Sequence, residues 1–215
     1  MLLQRLIKLQ GLPVLLGLLL LTGCASSGPK PVAQSTAGSD IGNDAAVVAI
    51  PPRALTMYEQ AAAVMASGDF LEAELRFKEF LLQYPIYPGA HVNLAIIHVS
   101  NENDVAAAAS IEAALAIDPQ YAPALNQKGM LLRRNGKFFD AEAAYLMAVT
   151  SNPEYALAHY NLGVLNELYL QRLDIALKHF ETYQALVGDD RQVEKWIVDL
   201  RRRVAATQRT ANVAD

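Results

Sequence analysis

The chain has 215 residues, 18 basic and 22 acidic, for a formal charge of −4, and 53% of its residues are hydrophobic. That acidic balance argues against a nucleic-acid partner, which would want a basic face. Its one cysteine excludes an intramolecular disulfide. The length suits one domain or a short repeat array.

Residues 1–23 come first: Arg5 and Lys8, then an apolar run from Leu12 to Leu21, then small residues. About 20 apolar residues are needed to span a bilayer, so this run is too short, and the order basic, apolar, small describes a secretory signal. Leu21-Thr22-Gly23-Cys24 resembles the bacterial lipobox, in which cleavage leaves the cysteine as the lipid-bearing first residue. The resemblance implies a covalent lipid on Cys24 (acyl chains such as palmitate) and no other cofactor. Each buried methylene contributes about 0.8 kcal/mol, and two or more chains anchor a protein stably. Ala25 follows the cysteine in place of aspartate, which by the same resemblance implies the periplasmic face of a Gram-negative outer membrane. Removing residues 1–23 takes away two basic and no acidic residues, leaving 16 against 22, a charge of −6. Residues 24–53 are rich in Ser, Gly, Pro and Ala with no helical stripe, and read as a lipidated flexible tether reaching about 30 Å. Pro51-Pro52 marks its end.

Beyond the tether the chain keeps a period. Pro85, Pro119 and Pro153 are 34 residues apart, as are Ala73, Ala107 and Ala141, with Ala176 after a step of 35. This pattern resembles the tetratricopeptide repeat, with units at 54–87, 88–121, 122–155 and 156–190, each an antiparallel helix pair. The expected fold is an all-α solenoid of four helix-turn-helix units plus a C-terminal capping helix. Positions 8 and 20 of each unit lie where the two helices cross and must be small. They read Ala61, Ala95, Gly129, Gly163 and Ala73, Ala107, Ala141, Ala176. Phe77, Ile111, Tyr145 and Phe180 fill position 24, and proline at position 32 ends a unit because it cannot continue a helix. Gly68 and Gly136 supply the left-handed turn residue, and asparagine takes that role in the "NEND" of unit two. Unit four has one extra residue in "LYLQRLD", which alters its turn or lengthens its first helix. Gln60 and Lys128 stand at position 7, usually apolar, and expose a face or snorkel.

After Gly188, the residues Val193, Trp196, Ile197, Leu200 and Val204 form an i, i+3, i+4, i+7 stripe over 191–206. A stack leaves its last apolar face open, and such a helix closes it. Arg201, Arg202 and Arg203 read as a solvated basic face, and the tail 207–215 as frayed.

In members of this family the first helices line a concave groove with positions 2, 5, 6, 9, 12 and 13. The resemblance therefore implies a peptide-binding groove here. Its floor is Glu59, Asn93, Gln127 and Asn161 at position 6, with Tyr58, Asn126 and Tyr160 at position 5. Ile96, Met130 and Val164 stand at position 9, and Arg133 and Arg134 at positions 12 and 13 of unit three. A carboxamide both donates and accepts, so a row of them can pair with peptide backbone; packing between helices is the competing role. The two arginines suit a carboxylate, although the several groove lysines of the family's carboxylate clamp are absent. His91, His98, His159 and His179 lack the spacing with a carboxylate that zinc requires and read as packing residues. Glu72/Glu74 and Asp189/Asp190 read as solvated helix ends. No nucleophile elbow, phosphate loop or metal motif is present. The expected function is a non-enzymatic, lipid-anchored adaptor for an extended peptide or protein in the periplasm. The alternatives are a pilotin-like assembly factor for a pilus or secretion pore, and a homodimeric scaffold.

Overall fold

A computed structural model describes residues 50–214. The signal-like segment, Cys24 and nearly all of the tether lie outside the described residues. Among those described there are nine helices and no strand. They are α1 Pro52–Ala66, α2 Phe70–Gln83, α3 Pro88–Ser100, α4 Asp104–Ile117, α5 Ala122–Arg134, α6 Phe138–Ser151, α7 Ala156–Leu168, α8 Leu173–Val187 and α9 Arg191–Ala214. Pro52 and Pro88 open their helices at a position where the missing N–H costs nothing.

Each odd-numbered helix packs antiparallel on the even-numbered one that follows. The crossing points hold Ala61, Ala73, Ala95, Ala107, Gly129, Ala141, Gly163 and Ala176, all buried. The reason for glycine in units three and four is visible. A Cβ on Gly129 would lie 2.5 Å from the Tyr145 ring, and one on Gly163 2.7 Å from Phe180. Consecutive odd helices also touch one another (α1 with α3, α3 with α5, α5 with α7), whereas consecutive even helices do not. The odd helices therefore line the tighter, inner side and the even helices fan outward.

Position 7 explains its own exceptions. Leu94 and Leu162 are buried against the preceding unit. Unit one has no predecessor, and its Gln60 is exposed at the open end beside Arg53, Met57, Arg76 and Glu79. Lys128 reaches back across the junction to Glu112, 2.9 Å away. The first unit thus ends in a polar face and needs no lid.

One turn differs from expectation. In unit two the left-handed residue is Glu102, φ 57°, and not an asparagine. Asn103 is instead the N-cap of α4, its side chain accepting from the Ala106 N–H at 3.0 Å, so the capping role outcompetes the turn role. The extra residue of unit four is absorbed by its turn, with Gln171 at φ 56°, while α3, α5 and α7 keep 13 residues each. Gly188, φ 83°, then ends α8.

Helix α9 packs on α8, with Val193, Ile197 and Leu200 buried beside Phe180 and Tyr183. Its backbone stays helical to Ala214, past the point where fraying was expected. Ala205 and Ala206 are strong helix formers, and no glycine or proline intervenes before Ala214. The arginines are solvated and each meets a carboxylate: Arg201 meets Glu181 at 2.8 Å, Arg202 meets Asp199 at 3.0 Å and Arg203 meets Glu167 at 2.7 Å. The acidic pairs also have partners. Glu72 holds Arg76, Glu74 holds Lys78, and Asp190 caps α9 through the N–H groups of Gln192 and Val193.

Candidate functional site

The inner surface is built from the odd helices, and one relation recurs where they meet. Position 5 of one unit faces position 6 of the next. Asn93 Nδ2 donates to Tyr58 Oη at 2.8 Å, and Asn161 Nδ2 donates to Asn126 Oδ1 at 2.9 Å. At the last junction Tyr160 faces Trp196, with ring centroids 6.1 Å apart. Trp196 is the sixth residue of α9, so the capping helix occupies the register of a fifth unit's first helix. Where Val92 faces Gln127 no such bond forms among the described residues; Val92 packs with Ala114 and Ala124.

This relation changes the reading of the amide row. Asn93, Asn126 and Asn161 are 7%, 1% and 6% exposed, and their hydrogen bonds fasten unit to unit. Asn126 directs its own Nδ2 at Met130 Sδ, 3.7 Å away. Unpaired buried amides cost free energy, so junction bonding captured them. The oxygens of Asn93 and Asn161 accept no hydrogen bond from the described residues, and Gln127 keeps its whole amide. Tyr58 is half-buried, edge-on to Phe77 and Phe80. Tyr160 stands among Phe180, Tyr183 and Trp196, and Val164 packs with the same cluster, so both belong to the cap seam. Ile96 joins Val92, Ala114 and Ala124, and Glu59 is exposed on α1.

Four of the expected residues do converge. Gln127, Met130, Arg133 and Arg134 line a cavity of about 430 Å³, together with Val99, Leu131, Gly136, Phe138 and Tyr169. The wall is apolar and aromatic, with one amide and two guanidinium groups. Arg134 is committed, its Nε 3.3 Å from Asp104 Oδ1. Arg133 has no carboxylate partner among the described residues. Tyr145 lies behind it, fully buried, with a hydroxyl that takes no hydrogen bond among those residues. Burial pushes that phenol up to about 12; the Arg133 charge pulls it the other way and Tyr169 adds to the rise. It is a neutral group at any physiological pH. Phe138 and Tyr169 stack at 4.5 Å between centroids. Val99 could have been found from sequence, since it stands at position 12 of unit two. Phe138 and Tyr169 could not, because both flank turns whose geometry the spacing does not fix.

What this arrangement can do chemically is bind. An unpaired guanidinium in an apolar recess attracts a carboxylate and rewards an apolar neighbour of that carboxylate. No group of three or more His, Cys, Asp or Glu side chains among the described residues is placed to hold a metal. No described helix is long and apolar enough to cross a membrane.

Comparison with known proteins adds the following. The family described as tetratricopeptide repeat matches residues 58–122 and 126–191. No curated protein sequence matches. Among solved structures the chain is similar to one titled as the functional characterization of Pseudomonas aeruginosa PilF. The two are 24% identical over 72% of each chain, with a TM-score of 0.62. It is similar to TTC0263, a thermophilic TPR protein of Thermus thermophilus, at 22% identity over 71% of this chain and 80% of that one, TM-score 0.57. It is also similar to the first TPR of Spaghetti (RPAP3) bound to the HSP90 peptide SRMEEVD, at 19% identity over 55% of this chain and 95% of that one, TM-score 0.51. At these identities the likeness concerns the fold.

Proposed function

Because the chain belongs to the tetratricopeptide repeat family, whose profile covers more than half of it, we propose that it is a lipid-anchored adaptor that seats a protein partner's extended segment in its inner groove. Repeats of this family are interaction modules and in general not enzymes. The observation that carries the reading is Arg133, a cation with no carboxylate partner among the described residues, set in a recess lined by Val99, Met130, Leu131, Phe138 and Tyr169. The segment it suits bears an acidic side chain or C-terminal carboxylate next to an apolar residue. Gln127 then meets its backbone. The RPAP3 repeat structure, bound to the acidic peptide SRMEEVD, supports this mode of use by analogy of fold.

The test is photocrosslinking in cells from Gln127, which lines the recess. The expected outcome is one dominant adduct, lost when Arg133→Glu is added and kept with Arg133→Lys. Adduct formation indifferent to Arg133→Glu would end the groove reading.

The stretch around Cys24 supports a partner in the periplasm and an anchor in the outer membrane. Cys24→Ser is expected to move the protein from the membrane to the soluble fraction; retention in the membrane would remove the anchor. A second reading, which a lipid anchor at Cys24 suits equally, is an assembly factor for a pilus or secretion pore. In that case the adduct is the pore subunit itself, and deleting the chain lowers the yield of assembled pores.

A further inference from the structure

The fourth unit carries two histidines that lie apart from the recess. His159 on α7 is buried, and His179 on α8 is half-buried; their Nδ1 atoms are 3.1 Å apart. The Nε2 of His159 lies 3.0 Å from the carbonyl oxygen of Pro153, in the connection from α6. A carbonyl only accepts, so that Nε2 carries a hydrogen, and the Nδ1 of neutral His159 is an acceptor. His179 must then donate from Nδ1, which leaves its Nε2 as the one ring nitrogen of the pair with a free lone pair. The bond chain runs from His179 through His159 to Pro153, tying α8 and α7 to the end of unit three.

We propose that this histidine pair is an acid-released latch between the third and fourth units. The first added proton goes to His179 Nε2 and leaves the chain of bonds whole, but it creates a charge in a poor place. His179 is faced by Lys178 on its own helix and by His159 across from it; the Pro153 carbonyl faces only His159. No carboxylate acts on either ring among the described residues. A second proton would have to sit on His159 Nδ1, setting two N–H groups head to head and breaking the link. Burial first, then His159 and Lys178, bring His179 down to about 4, and burial likewise lowers His159. A histidine released from the fold titrates at its ordinary 6.5. Between those values the open form binds protons that the closed form refuses, so closure is favoured fully above pH 6.5 and progressively lost toward pH 4. The loosened unit carries Tyr169, one wall of the recess, so acid also opens the site.

Hydrogen exchange on the full chain at pH 6.5 and 4.5, corrected for intrinsic rates, tests this. One linked proton changes the opening constant about tenfold per pH unit. The α7–α8 amides are therefore expected to open roughly 40-fold more at the lower pH, since the open form is already half protonated at pH 6.5, while those of α2, which has no histidine, stay within a few-fold. His179→Gln and His159→Gln are each expected to flatten the α7–α8 response. An equal response in α2 and α7–α8, or one unchanged in whichever variant folds, would overturn the latch.

Discussion

At the scale of single residues, the spacing of small side chains was the most legible feature, because a helix crossing leaves no room for alternatives. The pairs Ala61/Ala73 through Gly163/Ala176 stand where the period places them, and the glycines mark the two crossings where the facing ring leaves no room for a Cβ. Gly129→Ala and Gly163→Ala each force a methyl into a ring, and overpacking of that kind costs about 1–3 kcal/mol. Urea denaturation should show a matching fall in midpoint at unchanged slope, larger than for Ala95→Gly in the unit where Ile111 leaves space. The fate of the asparagines was not legible. Position 6 gave them one face, but whether an amide greets a ligand or a neighbouring unit depends on what position 5 of the previous unit offers. Tyr58 and Asn126 offer a partner, and Val92 does not.

Among the elements, the first and last helices obey different rules, and the sequence carried both. Gln60 makes the leading face polar, so α1 needs no cover. The trailing face of α8 is apolar and takes α9, whose stripe of Val193, Ile197 and Leu200 was plain in the i, i+3, i+4 pattern. Its register was not, because a pattern of apolar positions does not say which residue stands opposite Tyr160. Trp196 does, touching Tyr160 and Phe180. Truncating a buried tryptophan costs about 3–5 kcal/mol, and this one is half-buried, so Trp196→Ala should fall at or below the low end. In a stack whose units contact only their neighbours the loss stays local. Limited proteolysis should cut first after residue 190 while residues 52–134 survive. Simultaneous digestion of the whole array would contradict a cap that works locally.

For the whole molecule, the fold followed from period and punctuation, and the recess did not, because two of its walls, Phe138 and Tyr169, come from beside turns in different units. The joints between units are not equal. Side-chain amides or aromatic rings fasten unit one to two, three to four, and four to α9. Units two and three meet at Val92 and Gln127 and are bridged by the ion pairs Lys128–Glu112 and Arg134–Asp104, each with side chains 30% or more exposed. Exposed pairs are worth little and weaken in salt. Buried apolar packing also closes this joint, with Ala95, Ala107 and Ile111 against Leu131 and with Val92 and Ala114 against Ala124, so only its surface, beside Gln127, Arg133 and Arg134, rests on ion pairs. Rising salt loosens Arg134 from Asp104, so ionic strength acts directly on one wall of the recess.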